Sequence, residues 1–256
     1  MTSSENVLPG RMSYLARRVR ERLRKITERF LSEGFKGVAD RILHHIRWAR
    51  GFRERDAQFD KALGVDTKGP VGLWHLSIRS DNVGDATRYE GVHPSIFREA
   101  LREIPEDLGG FTFVDLGCGK GRALLLAKEF GFAKFVGVEF APELAAVARK
   151  NCERAGVEAT VLAQDAAQFA FPSGNLVVYL FNPFGPTVMN PVLDNLLGTI
   201  NAKCYVVYVN PTRRQQCFDN RSELRLLRGE PGYAIWTVAS RRELFMPDVD
   251  GGAAAI

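Results

Sequence analysis

The sequence predicts an α/β chain: a doubly wound, seven-stranded, mostly parallel sheet with an antiparallel edge, preceded by an α-helical N-terminal extension. Three observations predict it. From residue 111 onward, apolar strand-like runs alternate with helical stretches, the pattern of a parallel sheet between helix layers. Runs such as NLVVYLF (175–181) and CYVVYV (204–209) are almost continuously apolar, which implies burial on both faces. The last two strand-like runs are close together and amphipathic, as an antiparallel edge pair would be.

Taken in order, residues 1–10 are polar, and Met12, Ala16, Val19, Leu23, Ile26 and Phe30 then follow at steps of three and four. That spacing makes a helical seam, flanked by Arg17, Arg18, Arg20, Arg22, Arg24 and Lys25. A second helical stretch places Val38, Ile42, Ile46 and Trp48 near one face. GVDTKGPVG (64–72) reads as a linker. The expected organisation is a basic helical extension over 1–64, a linker over 65–84 and a sheet domain over 85–256. Within that domain Ile96, Ala100, Leu101 and Ile104 share a helix face ended by Pro105. Strands are expected near 111–116, 135–139, 159–163, 176–181, 203–209, 222–228 and 233–240. Helices are expected near 121–130, 142–155, 187–199 and 212–219.

Composition narrows the functional classes. Hydrophobic residues are 45% and charged residues 25% of 256, ordinary for a soluble globular protein. Residues 1–64 hold 15 Lys and Arg against 8 Asp and Glu, a charge of +7, and the remainder carries −2. The basic character therefore belongs to the extension. Cys118, Cys152, Cys204 and Cys217 form no CxxC pair and no histidine completes a zinc set, so no metal is expected. No run reaches the ~18 apolar residues a membrane helix needs, and arginines interrupt the N-terminal seam where a secretory signal would be apolar. The expected location is the cytoplasm.

The chemistry is concentrated in FVDLGCGKGRALLLAKEFGFAKFVGVEF, residues 113–140. A strand ends in an acid, three glycines follow in five residues, and a helix leads to a second strand that also ends in an acid. A phosphate-binding loop would need GxxxxGK followed by Ser or Thr, which is absent. A dinucleotide fingerprint would want glycine or alanine where Arg122 stands, and Asp115 would repel a pyrophosphate. A cationic, phosphate-free nucleoside suits the acid, and S-adenosylmethionine is one. VDLGCGKGR followed by VGVEF resembles motifs I and II of the class I, Rossmann-like, seven-stranded S-adenosylmethionine-dependent methyltransferases, over about residues 85–240.

That resemblance implies a set of site residues. The Gly117–Gly121 turn, with Gly117, Cys118, Gly119 and Gly121, would let the backbone approach the methionine part of S-adenosyl-L-methionine. Asp115 would orient its amino group, Glu139 would accept hydrogen bonds from the ribose hydroxyls, and Phe140 would lie along the adenine. Asp165 and the Ala166 backbone would contact the adenine; the bland alternative for Asp165 is a helix cap. Cys118 occupies a turn position without assigned chemistry.

YLFNPFG (179–185) closes the fourth strand, where the transferred methyl would lie. Asn182-Pro183-Phe184 resembles the Asn/Asp-Pro-Pro-aromatic motif of amino-group methyltransferases, in which a side-chain oxygen and a backbone carbonyl aim the nitrogen. Asn182 would then touch both cofactor and acceptor. Phe184 replaces the second proline and Gly185 the aromatic, which leaves the kind of nitrogen open. Upstream, RYEGVHP (88–94) would fold over the cofactor, with Tyr89 as a wall and His93 as a turn residue. Asn210-Pro211 would complete the acceptor pocket.

The expected activity is methyl transfer to a nitrogen of a protein side chain, lysine-like, or of a small amine. The rivals are RNA methylation, with nucleic acid docking through 11–64, and a non-catalytic S-adenosylmethionine-binding regulator. The sequence names neither the acceptor nor the oligomeric state.

Overall fold

The computed structural model describes residues 57–69, 71 and 89–238. The expected helices over 12–30 and 38–48, most of the 65–84 linker and the last two residues of the 233–240 strand lie outside them. Helical residues 57–63 (α1) come first, then α2 (Pro94–Arg102), β1 (Phe111–Leu116), α3 (Arg122–Ala127), β2 (Lys134–Glu139) and α4 (Pro142–Arg154). The chain continues through β3 (Ala159–Ala163), β4 (Asn175–Phe181), α5 (Pro186–Thr199), β5 (Cys204–Val209), α6 (Arg214–Cys217), β6 (Leu224–Gly229) and β7 (Tyr233–Val238).

The seven strands form one sheet in the order β3-β2-β1-β4-β5-β7-β6. Strands β1 to β5 pair in parallel, and β7 runs antiparallel to both β5 and β6. The antiparallel edge is as expected, with β7 inserted between β5 and β6. That insertion follows from composition. YAIWTV in β7 is almost wholly buried, whereas β6 exposes five of its six residues and suits the rim.

Alternation along the central strands divides the core between two faces. Phe113, Val177 and Tyr179 pack with Phe97 of α2 and Leu124 of α3 on one side. Val114, Leu116, Val178 and Leu180 pack with Met189, Val192 and Leu196 of α5 on the other. Burial on both faces explains why these strands read as continuous apolar runs. Helix α3 stops at Ala127 and tightens into a 3-10 turn, Lys128–Phe130, where Gly131 at φ 71° turns the chain toward β2. The helix expected over 212–219 contracts to the single turn of α6. Past its end Phe218 is pulled into the core, stacked on Trp236 at 4.5 Å.

Two parallel chains leave β1 in opposite directions across the sheet, β2-β3 one way and β4-β5 the other. The crevice where strand order reverses therefore opens above the carboxyl ends of β1 and β4. Leu116 and Leu180 are register partners, so the glycine turn after β1 stands beside the Asn182-Pro183 turn after β4.

Candidate active site

Short-range sterics set the glycine turn. Gly117, Gly119 and Gly121 adopt φ of 78°, 53° and 85°, a region that L side chains rarely enter. Space forbids a side chain as well. A Cβ on Gly117 would lie 2.5 Å from Pro183 Cβ, and one on Gly119 would lie 2.1 Å from the Tyr89 ring. Gly121 packs on Ala148 of α4 and, like Gly119, does not reach the cavity wall. Of the three glycines, Gly117 alone lines the cavity among the described residues.

That cavity encloses about 900 Å³, part of it continuous with solvent. Asp115, Cys118, Tyr89, Val92, Arg122 and Tyr179 line it. So do Glu139, Phe140, Leu144, Gln164, Asp165 and Ala166 from β2, α4 and the turn after β3. Asn182, Pro183 and Phe184, which follow β4, complete the lining. The fold thus gathers Asp115, Gly117, Cys118, Glu139, Phe140, Asp165, Ala166, Asn182, Pro183 and Tyr89 around one cavity.

Two buried carboxylates dominate its electrostatics: Asp115 is 3% and Glu139 4% exposed. Glu139 Oε2 accepts the backbone N–H of Gly119 at 2.9 Å, and Oε1 accepts that of Ala141 at 3.0 Å. Burial raises the Glu139 carboxyl, opposed by these bonds and by one from the Phe140 backbone. Burial, and then the nearby Glu139 charge, pushes Asp115 well above the usual carboxylate range. Neither carboxylate has an ion-pair partner among the described residues. Burial and the same two acids push the Cys118 thiol well up, so it is a buried, inert sulfur.

Asp165 does what a cap does: its Oδ1 accepts the Ala167 N–H at 2.9 Å, starting the 3-10 turn Ala166–Gln168. It also lines the cavity, so capping fixes where the carboxylate stands. His93 caps α2, accepting the Ser95 N–H at 3.2 Å, and stays at a turn as expected. Asn182 adopts φ 43° and Asn210 φ 53°, two left-handed Asn-Pro turns ending neighbouring strands. Asn182 Oδ1 accepts from Thr212 Oγ1 at 2.6 Å and from the Tyr208 hydroxyl at 3.4 Å. The oxygen expected to aim an acceptor nitrogen is therefore already engaged.

The segment expected as a linker is instead bonded into the domain at its start. Asp60 accepts the N–H groups of Thr67 and Lys68, each at 2.9 Å, and the Thr67 hydroxyl at 2.6 Å. Arg122, 2% exposed, donates Nε to Thr67 Oγ1 at 2.8 Å, and its Nη2 lies 3.7 Å from Asp60. Asn151 of α4 bonds the backbone of Asp66 in both directions. The Tyr89 hydroxyl donates to Thr67 O at 2.7 Å, which holds its ring over Gly119. Arg122, Asp60, Thr67 and Tyr179 were not expected from sequence. The only signal was Arg122 itself, a long cation at the position where a dinucleotide fingerprint has a small residue.

The cavity fits S-adenosylmethionine. Two buried carboxylates without an ion-pair partner among the described residues flank a turn that a Cβ would fill, which suits a cationic nucleoside without phosphates. The Glu139 carboxylate keeps acceptor capacity beyond its backbone bonds for a sugar hydroxyl.

Residues 113–201 match the family described as Methyltransferase domain. A Chlamydia trachomatis serovar D protein named "Uncharacterized RNA methyltransferase" is 31% identical over 161 residues, 60% of this chain and 38% of that one. Ribosomal protein L11 methyltransferase of Salmonella arizonae is 43% identical over 69 residues, 26% of this chain and 23% of that one. The chain thus spans well under half the length of these curated relatives. Among solved structures, TrmN from Thermus thermophilus aligns with a TM-score of 0.47 and 15% identity, over 58% of this chain and 49% of that one. No helix among the described residues is long and apolar enough to cross a membrane. The family match thus falls on the glycine turn, the two acids beside it and the Asn182-Pro183 turn of a Rossmann-like sheet, and over residues 113–201 the chain is similar to a methyltransferase domain.

Proposed function

We propose that the chain transfers the methyl group of S-adenosylmethionine to a nitrogen, and that the acceptor is RNA. The pair of buried carboxylates, Asp115 and Glu139, beside the glycine turn and without an ion-pair partner among the described residues carries the first part. When bound, S-adenosylmethionine supplies a methyl carbon activated by a sulfonium, so the protein's task is alignment and exclusion of water. Glu139 holds the sugar, Asp115 holds the ammonium, and Phe140 with Leu144 borders the base. Tyr89 roofs the turn. Pro183 leaves its carbonyl, free of any N–H of its own, to aim the acceptor, while Asn182, engaged by Thr212 and Tyr208, fixes the shape of that turn.

The sequence alone favoured a protein side chain or small amine. RNA is supported by the Chlamydia relative, which covers the larger share of this chain, and by the basic residues of 11–64. The test is full-length chain with methyl-labelled S-adenosylmethionine, offered total RNA, ribosomal proteins and simple amines in separate reactions. Label in RNA, lost on treatment with ribonuclease, is the expected result. Label in protein or amine would move the acceptor and leave methyl transfer standing. Binding without label in any fraction would make the chain a regulator.

A further inference from the structure

Tyr179 is 0% exposed, and its hydroxyl has no hydrogen-bond partner among the described residues. A buried hydroxyl without a partner costs about as much as a lost hydrogen bond, and phenylalanine would fill the same space without that cost. The ring is held by neighbours, 5.1 Å from Phe97 and 5.7 Å from Phe113 between centroids. Its position is therefore fixed by packing, and the hydroxyl cannot swing away to water.

Tyr179 is the register partner of Asp115 across β1 and β4, so both side chains leave the same face of the sheet. Both line the same cavity, as Tyr89 does. The Asp115 charge is felt at the phenol, which burial and that charge together push well above its ordinary range. A second anion would be repelled from this corner, whereas a cation with several N–H donors would satisfy both residues at once.

We propose that Tyr179 and Asp115 together seat a primary ammonium, the carboxylate supplying charge and the phenol oxygen a second acceptor. This rests on the S-adenosylmethionine assignment and makes the pair the reader of its α-ammonium. The Tyr179 hydroxyl, without a partner among the described residues, then gains one only when ligand is present.

Equilibrium calorimetry on wild type and Tyr179→Phe separates the possibilities with four ligands. They are S-adenosylhomocysteine, its decarboxylated analogue (ammonium kept), its deaminated analogue (carboxylate kept) and methylthioadenosine (neither kept). Tyr179→Phe should weaken the first two by about 5- to 20-fold and change the last two by less than about twofold. Its melting temperature without ligand should equal or exceed that of wild type. An equal loss for all four ligands, a loss that follows the carboxylate, no loss at all, or a variant that fails to fold would overturn the proposal. Wild type that binds none of the four would instead overturn the cofactor assignment. Asp115→Asn in the Tyr179→Phe background should cost less than the two separate losses combined, because both act on one group.

Discussion

Glu139 Oε2 accepts the backbone N–H of Gly119 at 2.9 Å, which ties the tip of β2 to the middle of the turn after β1. One carboxylate thereby shapes the glycine turn and stands ready for the sugar. Glu139→Gln keeps one acceptor but turns an N–H₂ toward a backbone donor. It should lose at least tenfold in affinity for S-adenosylhomocysteine and about 1–3 kcal/mol in stability, measured by calorimetry and urea unfolding.

Gly119 and Tyr89 are coupled by contact. Gly119→Ala places a methyl where the Tyr89 ring lies and puts alanine at φ 53°. The backbone strain alone should cost about 1–2 kcal/mol, with the steric clash added. Combining it with Tyr89→Ala should recover the steric part in unfolding experiments and leave the strain. Simple additivity of the two single losses would show that the contact is not what resists the methyl.

The ligand-free domain should grow less stable as pH rises. Asp115 and Glu139 are both raised in the folded state, chiefly by burial and for Asp115 also by Glu139. The folded chain therefore holds these protons more tightly than the unfolded chain. The stability they contribute is full below the ordinary values of 3.8 and 4.5 and is lost as pH climbs through the raised ones. Asp115→Asn should flatten that decline and raise the neutral-pH melting temperature by about 2–4 °C for each kcal/mol regained. In wild type, affinity for an ammonium-bearing ligand should increase with pH across the same window, because only the carboxylate attracts it.

Arg122 holds residues 60–69 in place through Thr67 and Asp60. Arg122→Met should cost about 3–5 kcal/mol, since it leaves Asp60 buried without its cation. It should also loosen Tyr89, whose hydroxyl depends on Thr67 O, and so weaken ligand binding. Asp60→Asn in the Arg122→Met background should restore part of the stability. A double-mutant cycle with no coupling would count against the network.

The sequence by itself determined the succession of strands and helices along the chain, the glycine turn and the two acids near the ends of β1 and β2. These are local properties. Polarity repeating every two or every 3.6 residues, and glycines where φ must be positive, are set by neighbours along the chain. It also exposed the Asn182-Pro183 turn, though not that Thr212 and Tyr208 occupy the asparagine oxygen. Only the tertiary structure decided that β7 lies between β5 and β6, that Tyr89 closes over Gly119, and that Arg122 reaches back to Asp60. It alone set Tyr179 beside Asp115. Periodicity states which face of a strand is buried, but not which strand lies next to it. Pairing is settled by packing between residues far apart in sequence, such as Asp115 and Tyr179, and their partnership exists only once β4 returns to the side of β1.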